Sequence, residues 1–110
     1  MRSTLLFFLT LALLASCSNP DYKPGNIYSV DTGEEKFRVV KVISSDSAML
    51  YLKMYNVQFT SRPGGDKMDT RAWDQEKMVY MPLDKASFRE WEPELMGGEP
   101  VSDAEKQAFR

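Results

Sequence analysis

Lys36-Phe37-Arg38-Val39-Val40-Lys41-Val42-Ile43, the turn Ser44-Ser45-Asp46-Ser47, and then Ala48-Met49-Leu50-Tyr51-Leu52-Lys53-Met54-Tyr55-Asn56-Val57-Gln58-Phe59 decide the fold of this chain. The valines and isoleucine of the first run branch at Cβ and suit a pleated surface. Phe37, Val39 and Ile43 share one face, while Arg38, Val40 and Val42 share the other, so both faces are partly apolar, as in a small curled sheet. In the second run Ala48, Leu50, Leu52 and Met54 alternate with Met49, Tyr51, Lys53, Tyr55, Val57 and Phe59. Leu, Met and Lys also form helices well. The two-residue period and the short preceding turn favour a long strand instead, bent or bulged near Asn56.

Outward from this pair the chain alternates between short elements and turns. Asn26 to Val30 is a strand candidate, and Asp31-Thr32-Gly33-Glu34-Glu35 is a turn in which Gly33 can take positive φ. Thr60 to Glu76 is a long polar loop around Pro63-Gly64-Gly65, and loops of this length in small domains are often functional. Lys77 to Leu83 predicts a fourth strand stopped by Pro82, which lacks a ladder donor. Asp84 is placed to cap one or two helical turns reaching Trp91, with Glu92-Pro93 interrupting. Ser102-Asp103-Ala104-Glu105 has capping-box spacing and predicts a short C-terminal helix. The expected fold is mainly β: a small antiparallel meander or SH3-like barrel with a short C-terminal helix, over residues 26–110. Val39, Val40, Val42, Leu50 and Leu52 are its expected core.

The N-terminal segment has a different character. Arg2 is followed by the apolar run from Leu5 to Leu14, far shorter than the roughly 20 residues a membrane-spanning helix needs. This is the layout of an export signal. Leu14-Ala15-Ser16-Cys17 resembles the lipobox of bacterial lipoproteins: an aliphatic residue, two small residues, then cysteine. The resemblance implies a signal peptide over 1–16, diacylglyceryl transfer to the Cys17 sulfur, cleavage before Cys17, and acylation of the new amine. It also implies that Ser18 would direct the protein to the outer membrane, facing the periplasm, in a Gram-negative host. Cys17 is the sole cysteine, so the mature domain forms no internal disulfide; acylation also removes the liability of a lone thiol in an oxidising compartment. Residues 17–25, with two prolines and a glycine, predict a short tether.

Composition narrows function mainly by exclusion. Cleavage removes Arg2 and leaves 13 basic against 16 acidic residues, interspersed along the chain. That pattern is no footprint for nucleic acid. The chain has no histidine, which removes the commonest general base and metal ligand. Pro63-Gly64-Gly65-Asp66 lacks the context of a phosphate loop. Asp66, Asp69, Asp74 and Glu76 are interleaved with Lys67, Arg71 and Lys77, as on a solvated mixed-charge loop. Methionine is frequent and thioethers bind soft ions, but without histidine or a second cysteine these residues are expected to fill gaps in a small core. The sequence therefore predicts no enzyme, cofactor or metal.

Aromatic residues point the other way. Tyr55, Phe59, Arg62 and Trp73 are expected to form a partner-binding patch at the long loop, since Tyr, Trp and Arg are common at interface hot spots. The alternative is that Trp73 folds back and caps the core. The functional expectation is a lipid-anchored envelope protein acting as a non-enzymatic binding or accessory module with a protein partner. The alternative is a periplasmic inhibitor or immunity-type lipoprotein that blocks a toxin or hydrolase.

Overall fold

Branched residues at Val39, Val40, Val42 and Ile43 hold the backbone extended, and this run becomes the middle of a sheet in the computed structural model. The structure describes residues 22–75 and 77–110. The segment expected to be a signal peptide, Cys17 and the first part of the stretch read as a tether lie outside the described residues. Five strands form one antiparallel sheet: β1 (Asn26–Asp31), β2 (Phe37–Ser45), β3 (Met49–Met54), β4 (Val79–Asp84) and β5 (Glu94–Gly98), in the order β4-β3-β2-β1-β5. The first four strands make a meander, and β5 returns to the free side of β1.

Both hairpin turns are fixed by aspartate side chains. Gly33 takes φ +88°, and its N–H donates to Asp31 Oδ1 at 2.9 Å. Asp46 Oδ1 accepts from the backbone N–H groups of Ala48 and Met49, at 2.9 and 2.7 Å. Such local bonds are why aspartate favours turns.

Each face of the sheet carries its own core. On one, Tyr28, Val30, Val40, Val42, Leu50 and Leu52 pack with Tyr22 and with Phe88 from the helix α2 (Lys85–Glu90). The rings of Tyr22 and Phe88 meet edge to face at 5.0 Å. On the other, Ile27, Val39 and Tyr55 pack with Trp73 from the short helix α1 (Thr70–Trp73). All five residues expected in the core are fully buried.

Several expectations need correction. The sheet is open, not closed into an SH3-like barrel: β4 and β5 are its two edges and do not pair. Both carry residue types suited to an edge, Pro82 in β4 and Gly97-Gly98 in β5. The two apolar faces arise because the chain covers both sides of an open sheet. The long strand over Ala48–Phe59 is interrupted. β3 ends at Met54, and Phe59 rejoins β2 through a bridge to Phe37. From Met54 to Phe59 the chain advances five residues, while β2 goes back three from Val40 to Phe37. Two extra residues are thus accommodated around exposed Asn56, where a bulge was expected. Pro82 does not stop β4, which runs on to Asp84; an edge strand tolerates proline where its nitrogen faces away from the partner. The folded region takes in Tyr22, which is buried inside the stretch read as tether.

The helix caps match expectation. Asp84 Oδ2 accepts from Ser87 N–H at 3.0 Å at the start of α2. The helix α3 (Asp103–Gln107) begins with a complete capping box between Ser102 and Glu105.

Candidate functional site

The loop that leaves β3 does not project. Asp69 caps α1, accepting from Ala72 N–H at 3.4 Å, and this short helix turns Trp73 back onto the sheet. Tyr55 is 1% exposed and Trp73 8%. Trp73 lies 5.4 Å from the Tyr55 ring and 6.2 Å from that of Phe59. Three of the four residues expected to bind a partner are therefore together, as an inward-facing cluster. Arg62 docks beside them: its Nη1 donates to the carbonyl and the hydroxyl of buried Ser29, at 3.0 and 2.9 Å. Its guanidinium also stacks over Phe37 at 4.8 Å and pairs with Glu94 at 3.4 Å. Trp73 thus folds back over the sheet, the second of the two sequence alternatives. Trp73→Ala should lower unfolding free energy by about 2 kcal/mol, below the usual cost for a deleted aromatic because α1 can settle into the space. Arg62→Ala should cost about 1 kcal/mol through the bonds lost at Ser29. Urea unfolding of both variants measures these values; no change in either would restore a free loop patch.

Sequence reading missed a second cluster on this same face. Lys41 and Lys53 are direct cross-strand partners on β2 and β3, and each is 3% exposed. Like charges placed opposite each other repel, so burial requires a counter-charge. Glu105 of α3 supplies it. One carboxylate oxygen lies 2.9 Å from Lys41 Nζ and the other 2.6 Å from Lys53 Nζ. Asp74, just after α1, accepts from Lys53 at 2.7 Å, and Lys41 also donates to the Pro100 carbonyl at 2.9 Å. Nearby, Thr70 donates to Glu99 at 2.6 Å. Lys41, Lys53, Asp74, Glu99 and Glu105 line an open cleft of about 370 Å³ with Tyr80 and Met78.

The electrostatics of the cluster are those of a closed set of pairs. Burial raises the Glu105 pKa, but the bond from Lys53, the Ser102 N–H and Lys41 outweigh it and hold the carboxyl at about 2. Burial likewise lowers the Lys53 pKa, yet Asp74 and Glu105 win and it stays above the ordinary lysine value. Tyr55 is pushed up by burial and by Asp74 and Glu105, so its phenol stays protonated. One signal could have revealed this cluster: Lys41 shares its strand face with Val39, and Lys53 shares its face with Tyr51 and Tyr55. A charge at an otherwise apolar position needs a partner from elsewhere in the chain.

Five methionines among the described residues, Met54, Met68, Met78, Met81 and Met96, pack in or against the two cores. Met68, Met78 and Met96 border the second core, and Met81 lies against the first. Among the described residues no group of His, Cys, Asp and Glu is arranged to hold a metal ion, and no helix is long and apolar enough to cross a membrane. Exposed large apolar side chains sit on the sheet edges, Val79 of β4 at 57% and Leu95 of β5 at 63%. No family model, curated protein or solved structure matches this chain.

Proposed function

We propose that this chain is a lipid-anchored, non-enzymatic binding or accessory module of the cell envelope. The observation that carries this reading is the order of the N-terminal segment: one arginine, the apolar run Leu5–Leu14, then Leu14-Ala15-Ser16-Cys17 ahead of a small β domain. Two or more acyl chains on Cys17 anchor such a domain stably, where one would not. Two features of the domain support binding over catalysis. The buried charges Lys41, Lys53 and Glu105 are committed to one another, and Lys53 also pairs with exposed Asp74. The open sheet leaves two edges, each with an exposed apolar residue, and unpaired edges are places where another chain can add. An inhibitor-type role has less support, because Arg62 and Trp73 of the long loop are engaged with their own sheet.

The test is Cys17→Ala, followed by fractionation. The variant should accumulate as an uncleaved precursor and fail to partition into detergent as a mature lipoprotein. A processed species that still enters the detergent phase would overturn lipidation at Cys17.

A further inference from the structure

Residues 100–110 are held on the sheet mainly by two side chains. α3 is five residues long, and a helix so short is marginal in water. Glu105 is its one buried residue; Asp103, Ala104, Lys106 and Gln107 are exposed. Beyond it, half-buried Phe109 stands edge-on to Tyr51 and Tyr80, at 5.3 and 5.8 Å between ring centroids. The receiving surface is of the opposite kind. Lys41, Lys53 and Tyr80 form one cross-strand row over β2, β3 and β4, and Tyr51 lies two residues before Lys53 on β3. Two cations and two rings borne by the sheet thus face this segment.

We propose that this lysine–tyrosine groove is a docking site for a partner's helix bearing a carboxylate four residues before an aromatic ring, and that Glu105 and Phe109 occupy it in the partner's absence. The proposal deepens the binding reading by naming the chemistry of the partner. Glu105 lies in α3 and Phe109 in the turn just after it, and the two reach the lysines and the tyrosines together; on a continuous helix, residues four apart likewise share one face. Charge complementarity selects an acidic segment: two ammonium groups meet one carboxylate from α3 and one from Asp74. Buried ion pairs roughly break even against the desolvation they require. Exchange therefore costs little when the new occupant restores the same pairs, whereas an occupant without a carboxylate leaves both lysines uncompensated. The resident segment competes from an effective concentration on the order of millimolar, as short tethers do. A free partner must overcome that competition, which makes the groove selective.

The probe is a fluorescent peptide of residues 100–110, titrated into the full chain and into the full chain carrying Phe109→Ala. That substitution weakens the resident segment and leaves Glu105 to satisfy the lysines. One-to-one binding is expected, about tenfold tighter or more to the Phe109→Ala chain, because more of the groove is then open. The same peptide carrying Glu105→Gln should bind about tenfold more weakly, having lost its charge-assisted bonds. In the unaltered chain, saturating peptide should displace the resident Phe109, seen as a move of that residue's own ring signals toward solvent-exposed values. No binding to either chain, or binding indifferent to the peptide's carboxylate, overturns the proposal. A concentration-dependent dimer that excludes the peptide would assign the groove to a second copy and overturn the partner assignment. Failure of lipid anchoring would show in the Cys17→Ala fractionation and would leave this titration unchanged.

Discussion

Glu105→Gln is expected to lower the unfolding free energy by about 3 kcal/mol, the low end of the cost of breaking a buried ion pair. The substitution keeps the shape of the side chain and removes the charge that Lys41 and Lys53 share. Lys53 retains Asp74, but Lys41 is left without an anionic partner, with only neutral acceptors such as the Pro100 carbonyl. The cost stays at the low end because release of α3 would let water reach both lysines. The effect should depend on pH with a definite sign. The folded-state pKa of Glu105, about 2, lies below its ordinary 4.5. Its contribution is therefore fully present above about pH 5 and is lost as pH falls toward 2. Urea unfolding of the wild type and Glu105→Gln at pH 7, 4 and 2.5 would show the gap closing with acid. A gap that is absent at pH 7, or unchanged at pH 2.5, would contradict the role given to this carboxylate.

Leu52→Ala is expected to cost about 4 kcal/mol, within the range for large-to-small core changes. Leu52 is fully buried in β3, with Val42 opposite it on one side and Met81 on the other. Its neighbours are strands held in register, so the space left by the deleted atoms cannot easily close. Domains of this size have a total stability of about 5–15 kcal/mol, and the variant would sit near the edge of folding at moderate temperature. The midpoint in urea should fall sharply with the slope unchanged. Leu95→Ala on exposed β5 serves as the control and should change stability by less than about 0.5 kcal/mol. Equal effects at the two positions would contradict the assignment of the first core.

Some features were legible in the sequence because local rules decide them. The valine run of β2, the alternation in Ala48–Met54, Gly33 at positive φ, and the Asp84 and Ser102 caps each depend on residues within a few positions of one another. What escaped depends on distant partners. β5 is Glu94-Leu95-Met96-Gly97-Gly98, with two glycines and little strand propensity; it pairs because β1 offers it an open edge. The barrel expectation failed for a related reason, since nothing local in strand patterning tells a closing strand from an edge. Of the expected partner-binding residues, the sequence grouped Tyr55, Phe59 and Trp73 as they lie in space, but the turn of Trp73 back onto the sheet follows from α1, a helix of four residues. The lysine cluster was missed because its counter-ion lies more than fifty residues away in sequence.

Amine acylation of the native full chain, read residue by residue by mass spectrometry, tests most directly whether the C-terminal helix seals a buried lysine pair on the second face. Lys36, Lys67, Lys77 and Lys106 are exposed and should react readily, while Lys41 and Lys53 should stay protected at neutral pH and react once Glu105→Gln frees α3. Labelling of Lys41 and Lys53 in the native chain at the rate of Lys36 would contradict the arrangement.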